Sequence, residues 1–152
     1  MKILNKDTGA VIYEDDSQTL FETLKAAIAT NVSLYKADLS GVNLDSVPYM
    51  ADLSGSYLHG AYLIEKGQKL TLIGERPWFS IVGIGSRRNN RCHAFITDRG
   101  VYVTAGSYFG TLVDVTNAVN ESYGDGIHGK EYRAAIELIK VHAELWTPKH
   151  SS

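Results

Sequence analysis

Hydrophobic and polar positions change period several times along this chain, and each change marks a different element. Residues 2–15 place "KILN" and "AVIYED" on either side of Lys6-Asp7-Thr8-Gly9, which predicts a hairpin. In "DDSQTLFETLKAAIATN" the residues Leu20, Phe21, Leu24, Ala27 and Ile28 share one helical stripe behind the capping candidates Asp15, Asp16 and Ser17. Acidic residues at that end suit the helix dipole. The period then becomes five. Leu34, Leu39 and Leu44 are five apart, as are Leu53, Leu58 and Leu63, and two residues before each stands Val32, Ala37, Val42, Ala51, Ser56 or Ala61. A helix repeats near about 3.6 residues and a strand near about 2, so neither accounts for this stretch.

After Leu63 the pattern returns to alternation. "KLTLIG" (69–74), "WFSIVGI" (78–84), "RCHAFIT" (91–97) and "VYVTAG" (101–106) predict four strands. Glu75-Arg76-Pro77, Ser86 to Asn90 and Asp98-Arg99-Gly100 supply turns, so an antiparallel meander is expected. Thr111 and Asp114 have the spacing of a capping box ahead of Leu112, Val115 and Val119. Asp125-Gly126 breaks that helix. A longer one is expected from about His128 to Trp146, with Tyr132, Ala135, Ile136, Ile139, Ala143 and Trp146 in one stripe and Pro148 beyond its end. Two such helices would cover one face of the sheet.

The five-residue unit resembles the pentapeptide-repeat family, whose unit is commonly written A-(D/N)-L-x-x. "ADLSG" occurs at 37–41 and again at 51–55, with "VNLDS" between them. The likeness covers residues 32–63, about seven units, and slips at Val47-Pro48-Tyr49-Met50, a unit one residue short and without its leucine. It implies a short right-handed quadrilateral β-helix, with the central leucine and the residue two before it turned inward. A stub of solenoid leaves open apolar ends, so residues 1–31 are expected to cap one end and the later residues the other. The expected class is therefore mixed, with residues 1–63 forming hairpin, cap helix and β-helix, and 64–152 an α+β domain. The order of parts, with "GIGSRRNN", "FITDRGVYV", "SYFGTL" and "HGKEYRAAIELIKVHAELW", is also similar to small phage and prophage proteins of undefined function.

Composition narrows the function classes. An apolar share of 44% supplies a core, no apolar run approaches a membrane span, and the start MKILNKDTG has no signal-like stretch. A cytoplasmic protein is expected. The single cysteine, Cys92, excludes an internal disulfide and any multi-cysteine metal site. Net charge is −2, but residues 1–63 carry four Lys/Arg against eight Asp/Glu, whereas 76–100 carry five Arg against Asp98 alone. That basic segment is too short to imply duplex DNA. Gyrase inhibition by DNA mimicry, known in some pentapeptide-repeat proteins, needs a longer acidic surface than Asp38, Asp45 and Asp52 provide.

The sharpest candidate chemistry is "GIGSRRNNR", residues 83–91. Its glycines permit close backbone approach, and Ser86, Arg87, Arg88 and Arg91 would donate to an anion, with Tyr108 and other aromatics (Tyr102, Phe109, Tyr123) available to stack a ring. It lacks the spacing of a P-loop, and the plainer reading is a hairpin loop with solvated arginines. His128 and Glu131 are neighbours on a helix, but His142 lies fourteen residues on, roughly 21 Å along the axis. Cys92 beside His93 is no dyad, since adjacent strand residues face opposite sides; a buried inert thiol is expected.

No catalytic constellation, cofactor motif or metal set is evident. The expected function is a non-enzymatic binding protein that occludes a host protein or sequesters a small anionic, nucleotide-like ligand, with self-association a further expectation. The alternatives are an assembly module and an enzyme acting on a phosphorylated substrate through His128 or His93.

Overall fold

The computed structural model describes residues 1–45, 51–85, 91–105 and 108–149. The chain opens on the expected hairpin, β1 (Lys2–Leu4) against β2 (Val11–Glu14). The Asn5 side-chain oxygen accepts from the N–H groups of Asp7 and Thr8 and so fixes its turn. Helix α1 (Leu20–Ala29) follows, capped by Thr19, whose hydroxyl accepts from Glu22 N–H. Capping had been expected at Asp15 to Ser17. Asp15 is instead occupied by the Thr23 hydroxyl at 2.8 Å and by Ser17.

The β-helix does not form. Among the described residues between Ala29 and Tyr62 there is no strand, only isolated bridges, the parallel ones joining Asp38 to Tyr57 and Asn43 to Tyr62. What the five-residue unit encodes is a turn. The N–H groups of Ala37, Val42, Ser56 and Ala61 each donate to the carbonyl three residues back, on Leu34, Leu39, Leu53 and Leu58. The third turn residue has positive φ every time: Lys36 at 62°, Gly41 at 74°, Gly55 at 75° and Gly60 at 85°. The second does not, which makes these type II turns and explains the repeated Ser-Gly. Asp38, Asn43 and Asp52 each accept from the N–H two residues on, which explains Asp/Asn before the leucine. With four of five residues spent on a turn, too few remain for a ladder. The short unit 47–50 lies outside the described residues.

Stacking also stops early. Residues 62–71 fold back as a hairpin, β3 (Tyr62–Glu65) against β4 (Gln68–Thr71), through Lys66 at φ 50° and Gly67 at φ 78°. The segment expected to begin the meander at Lys69 is thus paired locally. The four-stranded antiparallel sheet is β5 (Trp78–Val82), β6 (Arg91–Thr97), β7 (Gly100–Ala105) and β8 (Tyr108–Thr111), in that order. Antiparallel pairing and helical cover match the sequence reading, whereas β8 was not anticipated.

Thr111 and Asp114 form both halves of the capping box on α2 (Leu112–Tyr123). Helix α3 (Ile127–Trp146) returns antiparallel to it, and the Arg133 guanidinium donates to the Gly124 carbonyl at 2.7 Å at the end of α2. Gly129 is required there, since a Cβ would lie 2.4 Å from the Gly124 oxygen.

The sheet separates two cores. One face places Cys92, Ala94, Val103 and Ala105 against Val115, Val119, Tyr132, Ile136 and Ile139 of the helices. The opposite face places Phe95, with Trp78, Tyr102 and Phe109, against a core made of the repeat leucines, Ile3, Leu24, Leu70 and Leu72. Leu39, Leu44, Leu53 and Leu58 are all buried in it, as their period requires.

Candidate ligand-binding cleft

Of the predicted anion loop, Ser86, Arg87 and Arg88 lie outside the described residues, and Arg91 opens β6. Gly83 and Gly85 have positive φ, 84° and 96°. The Gly85 N–H donates to the Glu131 carboxylate at 2.9 Å. That N–H therefore already holds an anion, the protein's own. Tyr108, the remaining predicted site residue, begins β8 and is half exposed.

The other candidates disperse. Tyr102 and Phe109 stack on one another at 5.7 Å within the first core, and Tyr123 packs on Tyr132. His128 meets the edge of Tyr123, while Glu131 turns to Gly85, so the pair does not converge. His93 is buried beside Trp78, 5.3 Å between rings. Cys92 faces the helices, and burial pushes its thiol up to about 12, which makes it a poor nucleophile at neutral pH. Among the described residues no group of His, Cys, Asp and Glu is arranged to hold a metal ion, and no helix is long and apolar enough to cross a membrane.

A different site emerges where the turns meet the sheet. A cleft of about 650 Å³ lies between residues 53–58 and the approach to β5, residues 75–80, with His142 of α3 on a third side. Its volume falls in the range of small-molecule pockets, about 300–1,000 Å³. Pro77 is buried and biases Arg76 toward extended backbone, so β5 enters the sheet at a defined angle. As an edge strand, β5 is open on the cleft side. Trp78 and Ser80 belong to one face of the strand and Phe79 to the other, yet all three line the cleft.

The wall residues are held in different ways. The Tyr57 hydroxyl donates to Asp7 at 3.1 Å, which leaves its ring as the cleft surface. His142 stacks on Phe79 at 4.5 Å with an interplanar angle of 16°. Its Nε2 is 3.0 Å from the Arg76 carbonyl, an acceptor only, so that nitrogen carries the proton. The Ser80 hydroxyl is shielded from solvent and has no hydrogen-bond partner among the described residues.

Arg76 is the unusual member. Its guanidinium carbon lies over the Trp146 ring, 4.3 Å from the centroid, a cation–π contact that biases where the exposed side chain rests. Among the described residues no acceptor meets its N–H groups, so its five donors are unused beside the cleft that Arg76 lines. Glu75 is the opposing charge among the lining residues. Arg76 had entered the sequence reading only as part of a turn and of a charge count. Its signal would have been Arg-Pro-Trp ahead of a strand together with a distant Trp on α3.

Comparison with protein-family models, with curated proteins and with solved structures finds no match to this chain.

Proposed function

We propose that the protein is a non-enzymatic binding protein that sequesters a small, planar, singly phosphorylated ligand of the nucleoside monophosphate class in the cleft. The observation that carries this is Arg76, stacked on Trp146 with its donors unused beside two aromatic walls. The planar fork of a guanidinium matches a phosphate or carboxylate through paired hydrogen bonds. Trp78 and Tyr57 offer faces for a ring. Glu75 at the rim opposes a polyphosphate, which favours a ligand of low charge.

Thermal denaturation with nucleoside monophosphates, the parent nucleosides and inorganic phosphate tests the proposal. A bound monophosphate at 100 times its Kd stabilises by about 2.7 kcal/mol, and Trp78 fluorescence should change with it. Nucleoside or phosphate alone should bind far more weakly. Arg76→Lys should weaken binding nearly as much as Arg76→Ala, because lysine keeps the charge and loses the planar fork. Absence of any stabilisation, or unchanged binding by Arg76→Ala, would overturn the reading. The Arg87→Ala, Arg88→Ala double variant should bind normally; loss of binding there, with Arg76→Ala unaffected, would move the site to residues 83–91.

A further inference from the structure

Helix α3 buries Gly129, Tyr132, Ala135, Ile136 and Ile139 against the sheet and α2. A helix with one buried stripe normally turns polar residues outward. This one does not. Ile127, Leu138, Val141 and Leu145 are 79%, 50%, 51% and 70% exposed. With Glu131 and Ala134 they stand at 127, 131, 134, 138, 141 and 145, alternating steps of four and three. That is the spacing of a two-stranded coiled-coil seam, and it runs the length of the helix on the side away from the core. Glu131 interrupts the seam in sequence, but its carboxylate is drawn off to the Gly85 N–H.

We infer that this seam is where a second copy of the chain packs, its α3 antiparallel to the first about a two-fold axis beside Ile136. Charge and apolar overlap together decide the orientation and register. The positions flanking the seam on one side are Lys130, Glu137 and Glu144. With the axis at that point, Leu138 meets the partner's Ala134, Leu145 meets the partner's Ile127, and Lys130 lies opposite the partner's Glu144 on both sides of the axis. Glu137 then approaches the partner's Glu137 at the axis, and each has its own Lys140 at 3.0 Å to offset the repulsion. Shifted one heptad one way, the antiparallel register pairs Glu137 with the partner's Glu144 twice. Shifted the other way it pairs Lys130 with the partner's Glu137 but leaves Val141 and Leu145 beyond the partner's helix, and a parallel alignment lacks the Lys130 pairs altogether. A symmetric, self-complementary patch of this kind is what a two-fold dimer requires.

One helix of 20 residues is about 30 Å long, so the contact belongs to the small class of interfaces and the dimer should form in the micromolar range or above. This inference is independent of the cleft, which lies on another side of α3 around His142.

Sedimentation equilibrium of the full chain from low to several hundred micromolar tests it. The mass should rise from 16.7 kDa toward twice that value. Leu138 is half exposed in the single chain, so Leu138→Glu should preserve the circular dichroism and melting behaviour while raising the dimer dissociation constant at least about tenfold. Lys130→Glu should weaken association, and adding Glu144→Lys should restore it, a rescue specific to the antiparallel register. A monomer at every concentration overturns the inference, whatever other protein the face then serves. So does a dimer indifferent to Leu138→Glu, or a charge swap that fails to rescue.

Discussion

Gly41 and Gly55 occupy the same position in two of the turns, with φ of 74° and 75°, and differ in what surrounds them. An added Cβ at Gly41 would touch nothing, whereas at Gly55 it would fall 2.4 Å from the Tyr35 ring. Gly41→Ala should therefore cost only the backbone penalty of the left-handed region, about 1–2 kcal/mol. Gly55→Ala should cost more, and Tyr35→Ala in that background should bring the loss back toward the Gly41→Ala value, as read by urea unfolding. Carboxylates at this scale set the acid response. The Thr23 hydroxyl, then Ser17, hold Asp15 below its ordinary 3.8, and Lys36, then Tyr57, do the same for Asp7. A depressed carboxylate stabilises the fold above its unfolded value and loses that contribution as pH falls through its folded value. Asp15→Asn should thus melt earlier than the wild type at neutral pH, with the gap closing below about pH 4. The sequence marked Asp15 as a cap; it could not show that a buried threonine one helical turn beyond Thr19 would claim the carboxylate instead.

At the scale of elements, periodicity located almost everything and misjudged what one period builds. Leucine every five residues announced burial, and every described repeat leucine is buried. It did not announce a ladder, because the same five residues had to supply a type II turn and an Asx hydrogen bond. Lys66-Gly67 was a legible two-residue hairpin signal, but the strong alternation after Lys69 drew that segment into the larger sheet on paper. The true fourth strand, β8, is four residues ending in Gly110-Thr111, too short for alternation to register. Gly110 is suited to its place, since a Cβ there would lie 3.0 Å from Asp114 of the capping box. That box itself was readable, because it needs only two residues at a fixed spacing. Thr111→Ala should remove one half and cost about 0.5–2 kcal/mol, seen as a lower denaturant midpoint at unchanged slope.

For the whole molecule, the cleft was invisible in the sequence because its walls come from three separated segments, residues 53–58, 75–80 and 142, whose proximity depends on how the turns pack on the sheet. The same packing makes a prediction about cooperativity. Strand β6 gives Phe95 to one core and Cys92 and Ala94 to the other, and β7 gives Tyr102 to the first and Val103 to the second. Neither core can be lost without exposing the opposite face of the strands that both require. Leu39 is fully buried in the first core and Ile139 is buried in the second. Leu39→Ala and Ile139→Ala should each cost about 2–5 kcal/mol and lower the melting temperature on the order of 10 °C. Helical circular dichroism reports mainly α2 and α3, on the second core, whereas Trp78 packs against the first and, in a Trp146→Phe background that removes the tryptophan on α3, is the sole source of tryptophan fluorescence. If the shared sheet couples the cores, both signals fall together in the wild type and in each variant. A Leu39→Ala protein whose tryptophan signal is lost well before its helical signal would show instead that residues 91–149 hold their fold without the turns beneath them.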